Sequence, residues 1–256
     1  MSILARLLRA ETVKWRKSWI LVAAVLGPVV QVGNLLMVLW FSESLVRRFR
    51  PGFAFWVELN YLAWNVILLP ILVALICDLS WEQELEARSW NHLLAQPVPR
   101  EGHFYAKAIG HLALVLLAQA VLLALLIPGG FLLRHHLGDP MGDFPWATLV
   151  SFAGFSILAS VPLVAFHTWL SARFPGLGVA ILSGLLGSLA AVKLAGSVKL
   201  ACLIPWGMTG QAVVYFDRWH RYMPWLFFPP SWTVAALLFW LGAWDFGRDQ
   251  EPRRGG

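Results

Sequence analysis

The residues best suited to do chemistry gather in one polar stretch, 78–107, where Glu82, Glu84 and Glu86 stand close to Arg88, Trp90, Leu93 and Leu94. Carboxylates beside a short apolar face suit a short amphipathic helix on the cytoplasmic side, or a solvated re-entry loop between two spans. Reaction centres are harder to find. No Gly-x-x-x-x-Gly-Lys-Ser/Thr loop occurs and no Gly-Lys pair exists anywhere, so the chain lacks the usual backbone nest for ATP phosphates. Neither His-Glu-x-x-His for zinc nor Gly-x-Ser-x-Gly for a nucleophile elbow is present. The two cysteines, Cys77 and Cys202, have no paired spacing with histidine, and support neither a disulfide nor a metal site. No catalytic, cofactor-binding or metal-binding residue is assigned.

The elements that must position these residues are membrane helices. Of 256 residues, 59% are hydrophobic and 13% charged, against roughly 45–50% and 25% in soluble domains. Long apolar runs recur at about 19–41, 59–77, 109–133, 146–170, 177–198 and 228–244, each close to the roughly 20 residues that span a bilayer. The expected fold is all-α integral membrane, one domain over 1–256 with six transmembrane helices. Such a chain is not a soluble enzyme. The first run is too long and ends too bulky for a cleaved signal peptide.

The net charge of +6 is spread along the flanks of apolar runs, so it sets orientation in the membrane and gives no nucleic-acid stripe. With both termini inside, the inner face collects 12 of the 20 Lys and Arg residues, from Arg6 to Lys17, Arg88 to Lys107, Arg173, and Arg248 to Arg254. The termini are therefore expected to be cytoplasmic. Before the first span, Ile3, Leu4, Leu7 and Leu8 recur at helical spacing beside Arg6, Arg9, Lys14 and Lys17. That pattern predicts an amphipathic elbow helix over 1–17 on the inner leaflet, or a simple positive flank.

Within the polar stretch, Ser80 and Gln83 have capping-box spacing, which predicts a helix over 80–96, stopped by Pro97 and Pro99. Polar groups inside the spans are few: His111, Gln119, His167 and Lys193, with Asp78 and Asp245 at inner ends. Terminal placement or snorkelling accounts for most of them, and without a mid-membrane chain of carboxylates a proton-driven pump is disfavoured. Ser183, Gly187, Ala191 and Ala195 form a small-residue face on the fifth span, for contact with a second protomer or for packing inside one bundle. The segment 205–230 carries Trp219, Trp225 and Phe228 among other aromatics with Arg218 and Arg221. It reads as an aromatic belt at the outer interface or as an extracellular gate, with Pro224, Pro229 and Pro230 breaking it before the sixth span.

The run Glu82-Gln83-Glu84-Leu85-Glu86-Ala87-Arg88-Ser89-Trp90-Asn91-His92-Leu93-Leu94-Ala95-Gln96-Pro97-Val98-Pro99-Arg100, followed by Lys107, resembles the inner loop of type-2 ABC exporter permeases. The nearest resemblance is to permeases of lantibiotic immunity and bacitracin resistance. It departs at Ala87-Arg88-Ser89, where many members have Gly-Thr. The resemblance implies that 80–96 is the coupling helix and that a separate ATPase brings ATP and Mg. It also implies a bacterial-type inner membrane, and a second permease, identical or paralogous, meeting this one through helices one and five. Expected cargo is an amphipathic or antimicrobial peptide, or a lipid-like molecule. The other reading is a non-transport membrane protein, an intramembrane enzyme or assembly scaffold.

Overall fold

The computed structural model describes residues 3–16, 18–42, 52–86, 98–137, 141–194, 197–214 and 223–248. Among these the chain is helical throughout: α1 (Ile3–Trp15), α2 (Trp19–Phe41), α3 (Phe53–Ala63), a π segment (Trp64–Leu68), α4 (Leu69–Glu86), α5 (Arg100–Leu137), α6 (Trp146–Arg173), α7 (Leu177–Leu194), the short α8 (Val198–Ala201), α9 (Pro205–Val214) and α10 (Met223–Arg248). Helices dominate because, without water, each backbone donor must be satisfied within its own segment.

Five of the described helices are long and apolar enough to cross a membrane: Trp19–Phe41, Phe53–Leu85, Arg100–Leu137, Trp146–Arg173 and Leu177–Leu194. The expected sixth run, 228–244, lies inside α10, which is not among those five. The second and third spans are longer than the sequence patterning indicates. At 33 and 38 residues they reach roughly 50 and 57 Å at 1.5 Å per residue, well over the roughly 30 Å hydrocarbon core. Their excess carries the polar turns at 78–86 and 100–107 together at one end.

Small residues let the bundle close. A Cβ at Gly184 in α7 would stand 3.1 Å from the Ile71 backbone in α4, and one at Gly129 in α5 would stand 3.0 Å from the Trp56 ring in α3. Backbones approach where side chains are missing, the usual basis of helix contact in lipid. Trp56 then donates from Nε1 to the Leu126 carbonyl at 2.9 Å.

Three expectations change here. No helix begins at Ser80: α4 is already helical from Leu69, so the donors a capping box would satisfy are engaged. Pro229 and Pro230 do not break the chain before the sixth run, because both lie in the early turns of α10. The small-residue face of α7 serves this same chain. Gly187 and Ala191 are buried, and a Cβ at Gly187 would collide with the Trp206 indole of α9. Ser183 spends its hydroxyl on the Ala180 carbonyl, and Ala195 lies outside the described residues.

Candidate functional site

Four charged side chains meet where α1, the end of α4 and the start of α5 come together. Lys14 contacts Glu11 and Glu84, each at 2.6 Å. Lys107 contacts Glu84 at 3.1 Å and Glu11 at 3.5 Å. The Lys107 ammonium also donates to the Ser80 carbonyl at 2.8 Å and hydroxyl at 3.0 Å, and sits 4.7 Å over the Trp81 ring. Two cations and two carboxylates thus neutralise one another, which buried charges require.

The alternating charges set the protonation of the α1 pair. Burial alone would raise the Glu11 carboxyl, but Lys107 and Lys14 outweigh it and hold the group below its ordinary value of 4.5. Burial alone would lower Lys14, but Glu84 and Glu11 outweigh it and hold the ammonium above 10.5. The helix α1 is therefore pinned by charge as well as by packing. Its Leu7 and Trp15 lie against Gly102 and Gly110 of α5, where a Cβ would stand 3.6 and 3.1 Å away.

This cluster changes the status of one expected docking residue. Glu84 is buried in ion pairs to Lys14 and Lys107, so its carboxylate serves the chain internally. Glu82 is half-buried near the end of the helix and Glu86 is its last residue. Arg88, Trp90, Leu93 and Leu94 lie outside the described residues. Next to the cluster, Asp78 accepts from the Gly176 backbone N–H at 2.8 Å, tying α4 to the α6–α7 turn, where Gly176 has φ 149°.

The bundle interior holds more polar groups than termini and snorkelling account for. Cys77, His111 and Thr168 form a buried group, with His111 Nδ1 2.9 Å from the Thr168 hydroxyl and 3.4 Å from the Cys77 sulfur. Deeper along the helices, Gln119 Nε2 donates to Ser156 Oγ at 2.6 Å, and Ser156 donates to Asn65 Oδ1 at 2.6 Å. His167 is fully buried beside Trp206, and neither ring nitrogen has a hydrogen-bond partner among the described residues. Lys193 is exposed in the last turn of α7.

On the outside of the bundle, Leu59, Leu62, Ala63, Val66, Ile67, Ala191, Val192 and Gly210 line an open-sided cavity of about 380 Å³. Its lining is apolar and its volume lies in the usual ligand range of roughly 300–1,000 Å³. The expected outer gate is only partly within view. Phe228 stacks on Phe155 at 5.7 Å, inside the bundle; Trp225 falls within α10, and Trp219 lies outside the described residues.

The model of the ABC-2 family transporter proteins matches residues 7–187, most of this assembly from α1 into α7. The chain belongs to that family. It is a multi-pass membrane permease of ABC-transporter type, which implies a separate ATPase subunit as partner. No curated protein and no solved structure matches it.

Sequence reasoning missed the Glu11–Lys14–Glu84–Lys107 cluster and the Asn65–Ser156–Gln119 chain. Signals for both were present: Glu11 is the only acid in the first 17 residues, and Asn60 and Asn65 interrupt an otherwise apolar run.

Proposed function

We propose that this chain is the membrane-spanning subunit of an ATP-driven exporter that takes amphipathic cargo, such as an antimicrobial peptide or a lipid-like molecule, from the membrane. The charge cluster carries the reading. It joins the end of α4, the start of α5 and α1 immediately beside the segment 87–97, so that a force applied to that segment moves three elements at once. The segment 80–96 is the coupling element, with Glu82 and Glu86 meeting the ATPase and Arg88, Trp90, Leu93 and Leu94 completing the contact. α10 is the sixth span. α1 is the elbow: its exposed Ile3, Leu4 and Val13 meet the inner leaflet while Glu11 and Lys14 hold the bundle.

Both termini are cytoplasmic and the membrane is a bacterial-type inner membrane. A second permease, identical or similar, packs against the first and fifth spans. Because Gly187 and Ala191 face inward, the outward Leu182, Leu186 and Leu189 of α7 carry that contact. Cargo places its apolar part in the cavity beside Val66 and Ile67, with Trp219 and Trp225 at the outer exit.

Co-expression with the ATPase tests the reading. The pair Glu82→Lys and Glu86→Lys is expected to abolish ATPase co-purification and stimulated hydrolysis while the chain still inserts. Unchanged co-purification and hydrolysis contradict the assigned docking surface.

A further inference from the structure

Span two carries one residue too many for a regular α-helix, and it stores that residue in the π segment Trp64–Leu68. The N–H of Leu69 bonds the Trp64 carbonyl, five residues back, while the N–H of Trp64 is shared between the carbonyls of Asn60 and Tyr61. Single π turns inside α-helices are frequent at functional sites. Here the turn separates α3 from α4, whose far end holds the charge cluster.

The side chain of Asn65 bonds within the irregular turn. Its Nδ2 donates to the Tyr61 carbonyl at 3.0 Å, the acceptor that the Asn65 backbone N–H would use in a regular helix. Because a carbonyl only accepts, the amide orientation is determined and Oδ1 faces Ser156. Ser156 gives its single proton to Asn65 and therefore accepts from Gln119. The order leaves Gln119 Oε1 buried with no partner among the described residues, an acceptor that burial makes costly to leave unmet.

That leftover acceptor gives the chain a second arrangement. Rotation of the Gln119 amide lets Ser156 donate to Gln119 Oε1, and Asn65 Nδ2 then donates to Ser156 Oγ. This releases the Tyr61 carbonyl for the Asn65 backbone N–H, the α-helical bond. The present order makes three side-chain hydrogen bonds; the reversed one makes two and gains the backbone bond, with Asn65 Oδ1 in place of Gln119 Oε1 as the unmet acceptor. The reversed one favours moving the extra residue out of the π segment, which turns one half of the span against the other by about 100°, the angle per residue of an α-helix. The outer side of the same segment, Val66 and Ile67, lines the apolar cavity.

We propose that the π segment is a working joint of the transport cycle: the Asn65–Ser156–Gln119 chain holds the cavity open, and reversal of its hydrogen-bond order turns α3 against α4 and reshapes the cavity around the cargo's apolar part. The proposal rests on the exporter reading above. Deleting Ile67 removes the surplus residue, so a regular helix can form with both halves still facing as they do now.

The complete permease–ATPase complex is placed in lipid nanodiscs for hydrogen exchange, nucleotide-free and vanadate-trapped with ATP, and in vesicles for uptake of a fluorescent amphipathic peptide. In the wild type, exchange at residues 65–69 is expected to differ between the two states. The Ile67 deletion is expected to bind the ATPase and hydrolyse ATP, but to lose peptide transport and the difference in exchange. If the deletion variant does not fold, Ser156→Ala is read the same way, with transport lost and hydrolysis kept. Wild-type transport in either folded variant, or identical exchange in both states of the wild type, overturns the joint while leaving the exporter intact. A wild-type complex that moves no amphipathic peptide contradicts the exporter reading, and the joint falls with it.

Discussion

Lys107 is enclosed by acceptors on every described side, and removing it tests the charge cluster directly. Lys107→Met leaves Glu11 and Glu84 with Lys14 as their one remaining cation in the cluster, and stranding a buried charge costs roughly 3–5 kcal/mol. The expected result is a lower unfolding midpoint in detergent, partly restored by adding Glu84→Gln. The pH dependence follows from Glu11 and Lys14. Glu11 is held below its ordinary value, so its contribution is complete above 4.5 and is lost as pH falls through the lower folded value. Lys14 is held above 10.5, so its contribution is complete below that pH and is lost only above it. The protection of α1 amides against hydrogen exchange, taken relative to the intrinsic rate at each pH, should therefore hold across neutral pH and fall in acid below 4.5; protection unchanged down to pH 3 contradicts the pinning. Lys14 and Lys107 read in the sequence as ordinary flanking charges. Their partners, Glu84 for Lys14 and Glu11 for Lys107, are 70 and 96 residues away, a distance that local patterning does not bridge.

At the scale of elements, α7 and α9 meet through Gly187 and the Trp206 indole. Gly187→Leu is expected to push α9 off the bundle and to lower stability by about 1–3 kcal/mol, the usual range for overpacking. Trp206→Ala in the same chain should recover part of the loss, since it vacates the space the new side chain needs. Equal stability of the single and double variants contradicts the packing. A small-residue stripe is visible in a sequence, but its partner is not: close approach to α9 and to a second protomer require the same residues. Ser80 teaches the complementary lesson. Its capping-box spacing is a local signal, and the signal acts only where the preceding chain is not already helical; eleven residues of α4, 69–79, precede it. The π segment left still less trace, because Asn65 in an apolar run marks a polar contact without stating its geometry. What the sequence did reveal was the five apolar runs that become candidate spans, since hydrocarbon demands continuous apolar length.

For the whole molecule, the apolar runs and the polar stretch between the second and third of them were legible, and the family match over residues 7–187 agrees with both. Burial inside the bundle was not, since Gln119 and Ser156 look alike whether they face lipid, water or one another. The central claim is that energy enters at the ATPase, passes through the α1–α4–α5 charge cluster and moves amphipathic cargo out of the cell. Inside-out vesicles containing the permease and its ATPase test it most directly, through ATP-dependent accumulation of a fluorescent lantibiotic-like peptide in the lumen. The account predicts accumulation with ATP, none with a non-hydrolysable analogue, and loss of accumulation in the Glu82→Lys, Glu86→Lys pair. Vesicles that hydrolyse ATP yet accumulate no membrane-active peptide, or that accumulate it equally without ATP, would contradict the claim.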